Sequence, residues 1–435
     1  MQSRQKRENS FRVPQRILVV PAVLALLGFL LSPAFLSVRA EEAGKGSVPA
    51  PDTAPDTALT PAAVPSGAGL LSMFSTLGES PYYHLGDTEW DHGGVEEYYF
   101  NCLDSSCNEI YRELYSRLSS GEDSADLYAQ VDEETFWTAW QSVLADHPEL
   151  FWVGSGVTYE TGLLSGKVVS YTTEPVVDES ARDGMKAQLE TSADECISRT
   201  DETWSDYGRI KSVYEYLIDS TEYDADAADS QCVQSALLNH RAVCAGYAKA
   251  FQYILHRMGY FCTYVTGTIR DGGEHAWNIV RIGDQYYHVD VTWGDPVFAS
   301  SQEEGTGISV MDYNYLCCTD EEILTTHAPD TGIVAWPPCT DDSWNYYKIN
   351  GMYYDTFDYD EIHQALMSSV ESGNESISMK FGSPDAFSQA KTELFTNRMY
   401  DDAAQYLMRV NGTSSWNIRY TCDDEFHVIT IQWYS

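Results

Sequence analysis

One continuous stretch of the chain, residues 243–293, sets the fold class. It begins with apolar residues at helical spacing and a glycine that would end the helix. These residues are Val243, Tyr247, Ala250, Phe251, Ile254, Leu255, Met258 and Gly259. Three strand-like runs follow, FCTYVTGTI, AWNIVRI and QYYHVDVTW, and they are separated by Asp271-Gly272-Gly273 and by Gly283-Asp284. Both separators are hairpin signals, so the stretch predicts an α+β fold with a helix packed on an antiparallel sheet.

The whole chain is too long for one ordinary domain, because 435 residues exceed the usual size of a single core. We place the core itself at residues 201–300. A helix-rich accessory domain is predicted at 81–200, a core extension with a hairpin at 301–370, and a small C-terminal α/β region at 371–435.

Local patterns support these divisions. In the accessory region, residues 110–118 and 136–144 carry helical stripes, the second after a plausible Asp132 N-cap, and LFWVGSGVTYE reads as a strand. In the extension, WNYYKINGMYYDTF predicts a hairpin with Asn350-Gly351 at its turn. The last region alternates a strand (ISMKF), a helix through Phe387 and Leu394, and a strand (FHVITIQWY).

The N-terminus predicts export. Residues 1–40 combine a basic start, an apolar run at 17–36 and a small-residue cleavage site at Val38-Arg39-Ala40. The apolar run is also about long enough to span a bilayer, so an uncleaved anchor is the alternative to a signal peptide. Residues 41–80, with the near-repeat PDTAPDT, have the composition of a disordered linker. Either interpretation makes the protein secreted or anchored at the cell surface.

Charge and cysteine content limit the partners. The net charge of −40 argues against nucleic acid or an anionic membrane as partner, so any membrane contact would come through residues 17–36. In an exported protein some of the ten cysteines can pair, and Cys102 with Cys107 is a local candidate. The cluster of His84, Asp87, Asp91 and His92 matches no standard metal-site spacing. We therefore predict no metal and no cofactor.

A thiol lies where the predicted helix of the core begins. Cys244 stands at its first turn, where unpaired backbone N–H groups favour a thiolate and can donate to an oxyanion. A buried structural cysteine is the plainer interpretation of such a residue on its own.

An imidazole and a carboxylate follow in the same segment. His275 opens the second strand-like run, from which it could reach across to Cys244 and move its proton. Asp290 ends the third run and could orient the ring. Asp295 is an alternative carboxylate beyond the strand, and His288 could share the face of Asp290, although a structural role is simpler. The order predicts a Cys-His-Asp triad for nucleophilic acyl transfer.

Three segments carry a family resemblance. VCAGYAKAF, HAWN and YYHVDVTWGDP resemble the signature segments of the transglutaminase-like cysteine enzyme superfamily, and Gln234-Ser235-Ala236-Leu237 resembles a fourth segment upstream. The match covers about residues 205–300. The flanking stretches DHPELFWV, TDEEI and NYYKINGMYY resemble those of exported bacterial members, less specifically.

The resemblance implies a papain-like α+β core and assigns roles. Cys244 is the expected nucleophile, His275 the general base and acid, and Asp290 the orienting carboxylate. Trp277 and Trp293 are expected to shield the pair from water, although core packing would serve equally well. Gln234 is a candidate oxyanion donor, with a core-facing helix residue as the simpler interpretation.

The expected reaction is acyl transfer from an amide through a thioester. We favour hydrolysis of peptide or protein amides, with cell-wall peptide as one possible substrate, because the acidic residues lack the alternating pattern of a calcium-binding loop. Protein cross-linking to an amine is the first alternative. A non-catalytic cell-surface binding module on the same fold is the second.

Overall fold

The computed structural model describes residues 47–48, 95–270, 272–295 and 310–434. The predicted signal or anchor at 1–40 and the His84–His92 cluster lie outside these residues, as does the predicted linker except for strand β1 (Ser47–Val48). None of the helices in the described part of the chain combines the length and the hydrophobicity needed to cross a bilayer.

The accessory region is a mixed layer of helices and sheet. Its elements are α1 (Tyr98–Cys102), α2 (Ser105–Ser119), β2 (Ser124–Val131), α3 (Glu133–Asp146), β3 (Val157–Thr161), β4 (Val168–Thr173) and α4 (Glu179–Ile197). The strands form an antiparallel sheet in the order β1-β3-β4-β2. Phe136 and Trp140 of α3 are buried with Ile110 and Leu114 of α2, as the two helical stripes predict.

One detail of this region agrees with the prediction, and two differ from it. The cap is confirmed, since the Asp132 carboxylate accepts from Thr135 N at 2.9 Å. The strand expected over LFWVGSGVTYE begins only at Val157, because the chain first makes turns in which Leu150 N bonds to His147 O and Val153 N to Leu150 O. Strand β2 was not predicted. It buries only Leu127 and Ala129, too weak an alternation to identify from sequence.

The core has the predicted helix on an antiparallel sheet. Its elements are α5 (Asp206–Ser220), β5 (Glu222–Tyr223), α6 (Val233–Leu237), β6 (Arg241–Ala242), α7 (Cys244–Arg257), β7 (Cys262–Ile269), β8 (Glu274–Ile282), β9 (Gln285–Val289) and α8 (Val291–Gly294). Both predicted hairpins are confirmed: β7 pairs with β8, and β8 with β9, where Ile282 faces Gln285 across the Gly283-Asp284 turn. Asn278 of β8 donates to the Ala248 carbonyl at 3.1 Å and so joins the sheet to α7.

The extension completes the core sheet from both edges. It contains β10 (Leu316–Cys318), α9 (Asp320–Ile323), β11 (His327–Pro329), α10 (Tyr346–Ile349), β12 (Tyr353–Tyr354) and α11 (Tyr359–Glu371). The sheet order is β10-β9-β8-β7-β11, all antiparallel. The α+β fold class is therefore confirmed.

The hairpin predicted around Asn350-Gly351 is wrong. Asn345 caps the helical turn α10, with Tyr347 N donating to its side chain at 3.1 Å. Gly351 then adopts a φ of +65° and Met352 N bonds to Tyr347 O at 2.7 Å, which closes a helix end. The Asn-Gly pair thus ends a helix rather than joining two strands, and β12 runs parallel to a later strand.

The C-terminal region is the predicted small α/β layer with two additional elements. It contains β13 (Ser376–Phe381), α12 (Pro384–Lys391), α13 (Asp401–Asn411), β14 (Asn417–Asp423) and β15 (Val428–Tyr434). The sheet order is β12-β13-β15-β14. The prediction omitted α13 and β14. β14 pairs along β15 but has no fully buried residue, so its sequence lacks a strong apolar run.

Candidate active site

Cys244 is the first residue of α7, as the sequence predicts. Its side chain is largely buried, and the preceding cap residue, Val243, has no side-chain acceptor. Gly246 N and Tyr247 N bond to the Val243 carbonyl, so the first-turn donors directed beyond the helix end are the N–H groups of Cys244 and Ala245, which suit a thiolate or an oxyanion. Gly246 keeps this helix end close to its support, since a Cβ there would lie 2.5 Å from Ser230 O and 2.8 Å from Ser235 Oγ.

His275 connects the thiol to a carboxylate. It is the second residue of β8, and its Nε2 lies 2.6 Å from Asp290 Oδ2. Since Nε2 is engaged by Asp290, Nδ1 is the nitrogen that remains for an interaction with Cys244. Burial opposes the charged ring, but Asp290 and Cys244 outweigh burial and raise the pKa of His275 to about 10.

Asp290 is fully buried and accepts four hydrogen bonds. As the cap of α8, its Oδ1 accepts from Thr292 N at 2.9 Å and from Trp293 N at 3.2 Å. Its Oδ2 accepts from His275 Nε2 at 2.6 Å and from His327 Nε2 at 3.0 Å. Burial would raise the pKa of Asp290, but the two histidines hold it well below its ordinary value. The carboxylate is therefore charged and acts only as an acceptor.

His327 is a residue of this site that the sequence did not indicate. It opens β11, and its Nδ1 lies 2.7 Å from Thr326 Oγ1. Burial lowers the pKa of His327. Its ring centroid lies 5.1 Å from that of His275. Only the long-range pairing of β11 with β7 brings it here, and the run TTHAPD carries no signal for that pairing.

The two predicted tryptophans contact the His275 ring. Trp277 stacks with it at 6.0 Å between centroids and 20° between planes, and Trp293 meets it edge-on at 6.1 Å. Trp277 is buried and Trp293 is partly buried, an arrangement consistent with shielding and with packing alike.

The structure engages Gln234 elsewhere. This residue lies on α6 and is 3% exposed, and its Nε2 donates to the Phe151 carbonyl of the accessory region at 3.3 Å. The core-facing interpretation describes this contact, and the oxyanion role of Gln234 stays a prediction without geometric support.

The alternative residues have other partners. Asp295 accepts a hydrogen bond from Tyr247 Oη at 2.8 Å, whereas His275 binds Asp290. His288 has a supporting position, since Trp277 Nε1 donates to its Nδ1 at 3.0 Å and its Nε2 lies 3.0 Å from Asp320.

Two groups in the described residues have the spacing of metal ligands. They are His275 with Asp290 and His327, and His288 with Asp320 and Cys339, each group with its ligand atoms within 4.8 Å. In the first group, the 2.6 Å contact is the length of a charge-assisted hydrogen bond, so protons already bridge the ligands. In the second, both ring nitrogens of His288 are engaged. Hydrogen bonding accounts for both groups.

All ten cysteines lie in the described residues, and all are free thiols. The candidate pair Cys102 and Cys107 is not joined in the structure: Cys102 is exposed near the end of α1, while Cys107 is buried on α2 and its Sγ faces the Thr135 carbonyl at 4.0 Å. Cys317 and Cys318 are two buried thiols.

Gly267 holds His327 in place through its lack of a side chain. A Cβ there would collide with Ala328 O, and would lie 2.8 Å from Pro329 Cα in β11 and 2.9 Å from the Trp277 ring. Gly267→Ala is expected to lower the free energy of unfolding by about 1–3 kcal/mol, as overpacking does, measured from the denaturant midpoint. Gly184→Ala is the control, because its Cβ would meet nothing within 4 Å on exposed α4. It should stabilise by about 0.5–1 kcal/mol. Equal effects of the two variants would contradict the packing argument.

Comparisons with known proteins match a part of the chain, and the bounds of the family match include Cys244, His275 and Asp290. The sequence profile of the transglutaminase-like superfamily matches residues 195–291. Mouse kyphoscoliosis peptidase is 26% identical over an alignment of 147 residues, and the match covers 30% of this chain and 22% of that protein. Human kyphoscoliosis peptidase is 28% identical over an alignment of 109 residues, and the match covers 21% of this chain and 16% of that protein. The chain thus spans about a fifth of the length of the curated relatives it matches.

A solved TGase structure overlaps the chain more loosely, with a TM-score of 0.24 and 14% identity over 29% of this chain and 41% of that one. The assignment therefore rests on the profile match and on the geometry around Cys244. Residues 195–291 are therefore similar to the transglutaminase-like superfamily, and this similarity is limited to that segment of the chain.

Proposed function

We propose that this protein is an exported cysteine enzyme that hydrolyses amide bonds of peptides or proteins, with Cys244 as nucleophile, His275 as base and acid, and Asp290 as orienting carboxylate. The 2.6 Å bond between His275 Nε2 and Asp290 Oδ2 carries the proposal, because it leaves Nδ1 for the Cys244 thiol at the start of a helix. Export is supported by the basic and apolar N-terminal sequence.

The first half-reaction forms a thioester. The Cys244 thiolate attacks the amide carbonyl carbon, and the first-turn N–H groups of α7 stabilise the oxyanion. The C–N bond then breaks, and protonated His275 donates its Nδ1 proton to the leaving amine. Asp290 stabilises the imidazolium throughout, which fits the raised pKa of His275.

The second half-reaction returns the enzyme to its starting state. His275 removes a proton from water, the hydroxide attacks the thioester carbonyl, and the C–S bond breaks to release a carboxylic acid and the Cys244 thiolate. A primary amine that enters in place of water would leave a new amide and no acid. The two outcomes therefore differ by the nucleophile incorporated into the product.

Alkylation tests the proposed thiolate directly. Iodoacetamide near pH 7 should label Cys244 first, and His275→Ala should lose this preference, as mapped by peptide mass spectrometry. Burial raises the pKa of Cys107 to about 11 and that of Cys196 to about 12, so those thiols remain protonated. As a control, His363→Ala removes a partly buried histidine paired with Asp402 and should leave the labelling unchanged. Labelling of Cys244 no faster than an ordinary thiol would count against an enzyme.

The reaction type requires a separate assay. A panel of peptide and cell-wall amides is incubated with the protein, with and without a primary amine, and the products are identified by mass spectrometry. Hydrolysis gives the acid in both samples, whereas transfer gives the amine adduct when the amine is present. Adduct as the main product at modest amine concentration would replace hydrolysis by cross-linking.

A further inference from the structure

We infer that His327 is a positioning residue of the proposed site: it donates to the Asp290 oxygen that holds His275, and so fixes the carboxylate and moderates its hold on the catalytic ring. This inference rests on the proposed function. It extends the Cys-His-Asp set by a second histidine at the carboxylate.

The carboxylate is clamped on both oxygens. Two backbone N–H groups engage Oδ1, and the Nε2 atoms of His275 and His327 both engage Oδ2, at 2.6 and 3.0 Å. Asp290 is fully buried, so an oxygen that lost a donor would be left with an unsatisfied lone pair. His327 therefore completes the set of donors that keeps Oδ2 directed at His275.

The protonation of His327 is determined by its neighbour. Thr326 Oγ1 lies 2.7 Å from Nδ1 and 3.3 Å from the Ile323 carbonyl, and its single proton can be donated to Nδ1, the nearer of the two acceptors. Nε2 then carries the hydrogen that Asp290 accepts. The low pKa of His327, caused by burial, keeps this ring neutral, so it supplies a donor without adding a charge beside His275.

The ring is also held sterically. Trp277 and Trp293 lie 5.0 and 4.9 Å from it between centroids, and Tyr315 lies 5.9 Å away. β11 is fixed to β7 by the pairing of Ala328 with Thr268 and of Pro329 with Gly267. A donor held this firmly resists rotation of the carboxylate it binds.

A donor role and a packing role predict different pH behaviour. His327 competes with His275 for Oδ2, so removing its N–H strengthens the remaining bond and favours the protonated form of His275. The charged and titratable groups around Asp290 and His327 also include the following side chains: Cys244, His275, His288, Tyr214, Tyr223 and Tyr315. The tyrosines lie on α5, on β5 and just before β10, and substitution of His327 leaves all six in place.

The test compares three variants of the full chain. Leucine removes the donor, and glutamine places an amide nitrogen where Nε2 stands. The shorter asparagine side chain can place its amide nitrogen only where Nδ1 stands. His327→Leu is expected to lower kcat by about 10- to 100-fold, by analogy with the loss of outer hydrogen-bond partners at metal sites, with KM within about threefold. The rate of Cys244 alkylation, measured against pH, changes on the basic side where His275 loses its proton. In His327→Leu this basic limb of the pH profile should move to higher pH. His327→Gln should restore both quantities towards wild type.

The controls separate the possible failures. His363→Leu removes an exposed His–Asp hydrogen bond of the same 3.0 Å length and should change neither quantity. If His327→Leu does not fold by circular dichroism, the asparagine and glutamine variants decide, because glutamine alone supplies the Nε2 donor. The positioning role is overturned if the basic limb of the alkylation profile does not move in His327→Leu. It is also overturned if the glutamine and asparagine variants have equal kcat and equal alkylation profiles. Ordinary Cys244 reactivity in the wild type would instead overturn the proposed function.

Discussion

Cys244→Ala is expected to remove turnover of a peptide amide by about 10⁶-fold, the size of loss seen when the nucleophile of a catalytic triad is deleted. The thioester needs sulfur at this position, and alanine leaves only binding and the N–H groups of the helix end. The measurement is product formation by mass spectrometry at saturating substrate. The free energy of unfolding should change little, because the substitution removes one sulfur atom from a residue that already opens a helix.

The control for this variant is another cysteine. Cys102 is an exposed thiol near the end of α1, and Cys102→Ala should retain full turnover. Cys244→Ser should remain nearly inactive, since a serine hydroxyl at the same site is far less ionised than a thiol. Residual turnover above about one per cent in Cys244→Ala would assign the nucleophile to another residue.

The predicted part of the site lies where local chemistry determines the structure. Gly259 ends α7 with a φ of +78°, and Gly283-Asp284 joins β8 to β9 by a two-residue turn. These short-range signals set the register that brings His275 and Asp290 together across adjacent strands. The segment from Cys244 to Asp290 could therefore be assembled from sequence, and in the structure His275 Nε2 lies 2.6 Å from Asp290 Oδ2.

The rest of the site depends on contacts that no local signal records. His327 reaches Asp290 because β11 pairs with β7, which lies some 60 residues earlier in the chain. Likewise, Asn350-Gly351 is a dipeptide typical of hairpin turns. Here it follows a helix, because Asn345 caps the start of α10. The Asn-Gly dipeptide favours a local turn conformation, and the flanking elements decide whether that turn belongs to a hairpin or to the end of a helix.

Asp290 depends both on short-range sequence signals and on long-range contacts. Its position after β9 is readable from sequence, and so is a role beside His275. Its four hydrogen bonds are not, since they come from the start of α8, from β8 and from β11. Four donors directed at one buried carboxylate leave it no capacity to act as a donor itself, and this sets a strict requirement on the side chain.

Asp290→Asn is therefore expected to be severe although the two side chains have the same shape. If the amide nitrogen faces His275 and His327, it meets two N–H donors; if it faces α8, it meets the N–H groups of Thr292 and Trp293. To relieve the first clash, His275 must move its proton to Nδ1, which faces Cys244, and it then cannot act as a base. We expect kcat to fall by about 10⁴-fold through this wrong tautomer, with KM changed far less.

Asp295→Asn is the matched control, because Tyr247 can donate to an asparagine oxygen as it does to Asp295. Its turnover should stay near that of the wild type. A large loss in Asp295→Asn with unchanged turnover in Asp290→Asn would exchange the roles of the two carboxylates. The basic limb of Cys244 alkylation in Asp290→Asn should also move down from about pH 10, because the charge that raises the pKa of His275 is gone.

The His275–Asp290 pair determines how the free energy of unfolding of Asp290→Asn compares with that of the wild type as pH changes. Breaking a buried pair costs about 3–5 kcal/mol, measured by denaturant unfolding. The lowered pKa of Asp290 contributes stability above its ordinary value of 3.8, which is lost as pH falls through the lowered value. The raised pKa of His275 contributes stability in full below 6.5, and this is lost as pH rises towards about 10. The advantage of the wild type should therefore be largest between about pH 4 and 6.5 and should shrink by pH 9. A difference that stays constant from pH 5 to 9 would mean that the charged pair does not hold the site together.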